Sequence, residues 1–511
     1  MKKVKSLLLS VFLLTGTALL IRAIGISFTA YLSNKIGAVG IGIYQLIMSV
    51  YSLAITLATS GIKFTATRLV SEEAGANRSC GVRKAVRSCL LYAFTFSIIT
   101  ALLLFFNANW IGTVWLDDQR TVLSLRLLAI GLPFVAVSAV MNGYFTAVRS
   151  SQKGAFIQIA DQFIMIIITV MGLNLLLPKG VEYACVALVI GSCVSECFTC
   201  VFLGLCYCLE KKNKGEQNKK CPGIFKRMLQ IGIPIALSSY ARSGLSTIQH
   251  LLIPRGLSKS GSSKEEAFSA YGTVHGMVLP LILYPSALMI SLAELLVPEL
   301  TECQVKGHRK RIDYMSSRTF QLSLLFSVGV MGVLFCFSEE LGNGIYHNAD
   351  AARYIQIFAP LVLIMYMDTV VDGMLKGLGE QLNSMKYNVI DAFCCVVMVY
   401  FLIPIYGIRG YIITVMVSEV LNFSLSLNRL IKITNIRLNL FNSLCKPVFC
   451  ILLSSVFVQF FLKPNSVFGK FFPQTLLLQI PMMILCYVVF LILTSALNKE
   501  DTQWLRCILK K

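Results

Sequence analysis

Apolar stretches of about 20 residues follow one another along almost the whole chain, and no soluble-sized block interrupts them. Such runs start near Ser6, Val39, Lys84, Thr121, Ala155, Val181, Ile224, Tyr271, Arg318, Tyr354, Met385, Ile408, Phe441 and Gln474. They predict about 14 transmembrane helices. Each must be helical, because lipid offers no partner to an open backbone N–H or C=O. The chain reads as an all-α polytopic membrane protein. Only 14% of its 511 residues are charged, against about 25% in a soluble domain, and mean hydropathy is +0.73. The basic start, Met1 to Lys5, resembles a signal peptide. The apolar run behind it extends to about Leu32, too long for one, so it is read as helix 1.

The charge balance sharpens the topology. Lys and Arg number 46 and Asp and Glu 25, a net charge of +21. With the N-terminus inside, 31 basic residues fall in inner segments. Ten fall outside: Lys35, Arg120, Lys179, Arg255, Lys259, Lys264, Arg353, Arg409, Lys463 and Lys470. Five lie within spans or at their edges: Arg22, Lys63, Arg87, Arg126 and Arg242. This is the positive-inside pattern. It places both termini in the cytoplasm, favours anionic inner-leaflet lipid as a partner and removes the need to invoke nucleic acid. The 17 cysteines mostly sit in apolar runs and read as reduced packing residues, with no zinc-like spacing.

Landmarks recur at an offset of 220 to 230 residues. Arg22 precedes Lys35 by thirteen, as Arg242 precedes Arg255. Tyr44 precedes Glu72 by 28, as Tyr271 precedes Glu299. Asn142-Gly143 and Asp161 answer Asp372-Gly373 and Asp391, and Ser195-Glu196 answers Ser418-Glu419. The order predicts two six-helix lobes, residues 1–209 and 228–432, related by a parallel repeat because six is even. A basic cytoplasmic linker covers 210–227, and 433–511 holds helices 13 and 14 and a cytoplasmic tail.

Ionisable residues deep in a span are costly and mark cavities or partners. Arg22 and Arg242 occupy matched mid-span positions. Facing each other across a cavity they would need an anion between them, and a diphosphate suits the bidentate guanidinium. The alternative pairs Arg22 with Asp161 or Glu196, and Arg242 with Asp391 or Glu419. Lys63 and Arg255 complete the candidate substrate-binding cations. Asp161, Glu196, Asp391 and Glu419 recur in both halves, which favours scaffold pairing. Asp368, Asp372 and Lys376 share one helix face and read as mutually satisfied; their rival role is Na+ or H+ coupling. His250 and His275 read as packed residues, and Pro133, Pro234, Pro280, Pro285 and Pro360 permit bends. No cofactor or metal is expected. The chain lacks GxxxxGK[ST] and HExxH, and its outer loops are short, which speaks against an ATPase, a metalloprotease or a membrane polymerase or ligase.

The stretch Leu32 to Glu72, with Gly37, Gly40, Gly42-Ile43-Tyr44-Gln45 and Arg68-Leu69-Val70-Ser71-Glu72, resembles the stage V sporulation protein B family. So do His250 to Arg255, Tyr271-Gly272, Gly276 to Pro280, Ser286 to Leu288, Leu296 to Glu299 and Gly143-Tyr144-Phe145. The resemblance implies membership in the superfamily of multidrug, oligosaccharidyl-lipid and polysaccharide exporters. It implies a two-lobe bundle working by alternating access in the bacterial cell membrane. It also implies export of an undecaprenyl-diphosphate-linked saccharide, a peptidoglycan precursor for wall or spore cortex, alongside the wall-synthesis machinery. A cation-coupled multidrug exporter is the alternative within that superfamily. Related flippases carry cavity arginines in helices 1, 2 and 8. Arg22 matches the first, Lys63 stands in the second, and helix 8 here has none. The family's acid–Gln pair in helix 5 reads here as Asp161-Gln162.

Overall fold

The computed structural model describes residues 2–59, 61–75, 78–148, 151–212, 223–434, 444–462 and 476–496. Every regular element among them is helical. The α-helices are α1 (Lys2–Thr59), α2 (Ile62–Gly75), α3 (Ser79–Trp110), α4 (Val122–Ala147), α5 (Ser151–Leu176), α6 (Val181–Lys212), α7 (Ile224–Lys259), α8 (Lys264–Gly272) and α9 (Leu279–Leu283). They continue as α10 (Ser286–Val305), α11 (Arg309–Cys336), α12 (Ser338–Tyr346), α13 (Ala349–Phe358), α14 (Leu361–Gly377), α15 (Gln381–Tyr406), α16 (Ile408–Ile433), α17 (Lys446–Leu462) and α18 (Leu476–Leu493). Among the described residues, eight stretches are long and apolar enough to cross a membrane, and two bent pairs raise this to ten. The protein is therefore multi-pass. The predicted segments all reach helices. Leu20–Ala74 carries two of them, α7 one, and the shorter apolar α17 and α18 the last two. The expected starts of those last two, Phe441 and Gln474, lie outside the described residues, as do most of the basic linker and the tail beyond 496.

The breaks between spans have local causes. Within α1, Gly37 adopts φ 70° and ψ 175°, which no L side chain tolerates easily, and this divides the helix into two. Ser263 opens α8 as a capping box: the Glu266 amide donates to its hydroxyl at 3.2 Å, and the Ser263 amide donates to the Glu266 carboxylate at 2.9 Å. Asn348 caps α13 through the Ala351 amide at 3.1 Å. Pro285 interrupts the ladder between α9 and α10, where the chain bends by 55°, and Pro360 stands at the 57° bend between α13 and α14.

The chain forms two compact units. One comprises 35–272 and 395–411, the other 1–34, 273–394 and 412–511. In the first, Ile62, Ala66, Leu69 and Val70 of α2 pack with Ala85, Val86 and Cys89 of α3 and Val140, Tyr144 and Phe145 of α4. Lipid tails are as apolar as leucine, so contact between helices depends on close fit rather than on water exclusion. The fit is made by small residues. A methyl group on Gly143 would lie 3.1 Å from Ala66 Cβ and 2.6 Å from the Lys63 carbonyl oxygen. In the other unit, a methyl on Gly373 would lie 2.5 Å from Ala293 Cβ. Gly143 and Gly373 are 230 positions apart, and Ala66 and Ala293 are 227 apart, so the same contact recurs at the spacing of the sequence landmarks. Interhelical hydrogen bonds accompany it. Thr67 donates to the Gly143 carbonyl at 3.1 Å, and Thr301 to the Gly377 carbonyl at 2.8 Å.

The tightest approach in the first unit joins α1 to α8. A methyl on Gly42 would stand 2.0 Å from the Phe268 carbonyl oxygen, and one on Gly272 would stand 2.5 Å from the Gly42 nitrogen. Both neighbours are backbone and cannot swing away. Gly42→Ala and Gly272→Ala are each expected to destabilise the protein by about 1–3 kcal/mol. Thermal unfolding in detergent reads the effect; an unchanged midpoint in both variants would contradict this packing.

Candidate functional site

Arg22 sits half-buried in α1, in the unit that contains α9 and α10. Its place follows from the bend at Pro285. In an unbroken helix the Leu283 carbonyl would accept from the Ala287 amide, four residues on. Here the Ala287 amide donates to the Tyr284 carbonyl instead, at 3.3 Å. The freed Leu283 oxygen takes the Ser286 hydroxyl at 2.6 Å and Arg22 Nη1 at 2.9 Å. Arg22 Nη1 also donates to Ser286 Oγ at 3.1 Å. The guanidinium therefore stitches a broken span. It forms no ion pair with any carboxylate among the described residues, so its charge is not cancelled there. An open carbonyl in lipid costs about 1–3 kcal/mol, and Arg22 with Ser286 removes that cost. The depth of Arg22 is legible in the sequence; its partners are more than 260 positions away, and Pro285 is the one local sign of them.

The other candidate cations lie in the unit formed by 35–272 and 395–411. Arg242 is exposed on α7, Lys63 is exposed at the start of α2, and neither has an ion-pair partner among the described residues. Arg255, a turn from the end of α7, donates to the Val114 carbonyl.

The acids divide into hydroxyl-bound clusters. Asp161 accepts from Thr199 at 2.9 Å, with Glu196 beside it. In the other unit Asp391 accepts from Ser418 at 2.7 Å, with Glu419 beside it. Both arrangements set an aspartate of one helix against a hydroxyl and a glutamate of the next, on α5–α6 and α15–α16, although the donor is Thr199 in one and Ser418, the counterpart of Ser195, in the other. A hydroxyl donor to each aspartate is thus built into both. One expectation is corrected. Asp368, Asp372 and Lys376 do not satisfy one another, although they share a face of α14. Asn422 of α16 donates to Asp368 at 3.0 Å, Ser384 of α15 donates to Asp372 at 2.7 Å, and Lys376 is exposed.

At the loop end of the same unit, Arg429 grips Glu380 bidentately at 2.9 and 3.0 Å, and Asn383 also donates to it. The Asn383 amide, and then Arg429, hold the Glu380 carboxyl below its ordinary value. Nearby, Arg309, Asp313, Gln304 and Lys432 line a cavity of about 440 Å³. Because the folded pKa of Glu380 is lowered, its stabilisation is full above the ordinary carboxylate value, about 4.3. It is lost as pH falls through the folded value. Glu380→Gln is expected to lower the unfolding midpoint near neutral pH, at a cost no larger than about 1 kcal/mol for so accessible a pair. The two proteins should converge in acid. A constant difference across the whole pH range would contradict this assignment.

Fold and charged positions together define a multi-pass helical membrane protein with cations and hydroxyl-held acids inside its spans. The polysaccharide biosynthesis protein family matches residues 7–298, and a second family, MatE, matches residues 266–402. The chain belongs to the polysaccharide biosynthesis protein family. It is 25% identical over 426 residues to stage V sporulation protein B of Bacillus subtilis (strain 168), covering 80% of this chain and 81% of that one. It is 21% identical over 415 residues to lipid II flippase MurJ of the same organism, covering 73% of each. In fold it is similar to a structure of lipid II flippase MurJ in an inward closed conformation, with TM-score 0.70, 13% identity, and coverage of 96% of this chain and 100% of that one. It is also similar to an inward-facing multidrug resistance MATE family transporter, with TM-score 0.61, 13% identity and coverage of 82% and 95%. Lipid II flippase MurJ and the MATE family transporter are named as a flippase and a transporter, not as enzymes.

Proposed function

We propose that this protein moves a polyprenyl-diphosphate-linked saccharide from the inner to the outer leaflet of the bacterial cell membrane by alternating access. Its two working lobes are residues 1–209 and 228–432. The observation that carries the reading is Arg22. A mid-span guanidinium is held at a helix bend by neutral oxygens and has no ion-pair partner among the described carboxylates. Its fixed Nη1 leaves Nε and Nη2 to engage a phosphate. Arg242 and Lys63 add cations without ion-pair partners among the described residues, and Arg255 a further cation. The saccharide is a peptidoglycan precursor in this reading, supported by likeness to stage V sporulation protein B and lipid II flippase MurJ.

Charge and geometry at Arg22 are separable by two substitutions. Arg22→Lys keeps a donor for the Leu283 carbonyl and loses the planar fork, whereas Arg22→Ala loses both. Outer-leaflet precursor, measured by its accessibility to an external probe in membranes carrying each variant, is expected to fall at least about tenfold in both, the size of one charge-assisted contact. Thermal stability is expected to fall mainly in Arg22→Ala. Undiminished translocation in both variants would remove Arg22 from the substrate path.

The rival reading, a cation-coupled exporter of small organic cations, is favoured by one feature. Asp368 and Asp372 are turned toward neighbouring helices rather than neutralised by Lys376. It predicts transport that collapses when Na+ and H+ gradients are abolished and when Asp368→Asn is introduced. Transport indifferent to both gradients would exclude it.

A further inference from the structure

The unit formed by 35–272 and 395–411 carries a second cationic site, separate from Arg22. A cavity of about 460 Å³ opens between the turn that ends α3 and the end of α7. Trp115, Asp117, Arg255, Lys259, Lys264 and Phe268 are among its lining residues. The wall is shaped by a π-helical turn, Ile111–Trp115, a form that concentrates at functional sites.

Three observations point to a ligand. The first is the charge. Outer segments are poor in Lys and Arg, with ten of the 46, yet three of those ten, Arg255, Lys259 and Lys264, line this one cavity. Orientation alone disfavours cations here, so their convergence asks for another cause. The second is the accounting of local acids. Asp117 is held by Lys264 at 2.7 Å, Asp118 is held by Arg120 at 2.7 Å, and Glu266 caps the Ser263 amide. No described carboxylate forms an ion pair with Arg255 or Lys259. The third is depth. Trp110 and Trp115 pack with ring centroids 5.3 Å apart, and tryptophan is enriched at the headgroup level of a bilayer. Arg255 is oriented by the Val114 carbonyl, which leaves most of its fork free.

We propose that this cavity binds the phosphate of a lipid head group at the outer membrane interface, with Arg255 and Lys259 as the phosphate ligands and Trp115 against the adjoining group. Its outer placement rests on the charge bias used above; the site itself does not depend on transport. The chemistry fits either an anionic phospholipid or the diphosphate of a lipid-linked saccharide.

The test uses the full-length protein in phosphatidylcholine nanodiscs, with geranyl diphosphate as the probe and tryptophan fluorescence as the readout. Lys259→Gln alone is expected to weaken binding severalfold, and Arg255→Gln with Lys259→Gln by about tenfold or more. Geraniol, which lacks the phosphates, is expected not to bind. Binding by the double variant equal to the wild type, or geraniol binding as tightly as its diphosphate, would overturn the site. Replacing part of the phosphatidylcholine with phosphatidylglycerol identifies the source. Competition names an anionic phospholipid as an occupant, and its absence names the diphosphate lipid; either result upholds a phosphate site. Binding lost in the double variant while the wild type moves no saccharide would sink the flippase reading alone. Binding retained in the double variant while translocation proceeds would sink this site alone.

Discussion

A backbone carbonyl left open in lipid is the constraint around which the Arg22 region is arranged. Pro285 breaks a span and frees the Leu283 oxygen, and a charged side chain from a distant helix closes it. Charge inside a membrane is itself costly, so one liability is answered with another. The two are compatible only where Arg22 keeps some access to water or to an anion. The bend and the cation therefore form one feature. A helix that stayed straight would offer the arginine no open carbonyl, and an arginine without the bend would lack its anchor.

The acids follow a different rule. Asp161 and Asp391 are each held by a hydroxyl from the next helix, Thr199 or Ser418, and each has a glutamate beside it. Small residues set the helix spacing in the same doubled manner, Gly143 on Ala66 and Gly373 on Ala293. Packing and polar contacts thus repeat together, as expected if an ancestral half-length unit supplied both. Arg22 departs from this pattern: its repeat mate Arg242 is exposed, and the bend it serves belongs to one unit.

The spans were legible because lipid leaves so few options: apolar length and the helical rule specify nearly everything about each segment. The repeat was legible because landmarks such as Gly143 and Gly373 sit at close helix contacts and keep their spacing. Partner choice was not legible. Arg22 meets Leu283 and Ser286 across more than 260 positions, and nothing local distinguishes that from a salt bridge. Spacing on α14 suggested that Asp368, Asp372 and Lys376 face one another, but i, i+4 proximity loses to Asn422 and Ser384, which project from neighbouring helices. The cavity beside Arg255 was not legible as one site, because its wall joins positions 114–117 to 251–268.

The central claim is that the purified protein transfers a polyprenyl-diphosphate saccharide between leaflets. The most direct measurement places labelled lipid-linked precursor in vesicles reconstituted with the wild-type protein and follows the fraction reached by an impermeant enzyme from outside. This fraction is expected to rise well beyond that in protein-free vesicles, and to rise far less with Arg22→Lys. Equal accessibility with and without the wild-type protein would contradict the claim.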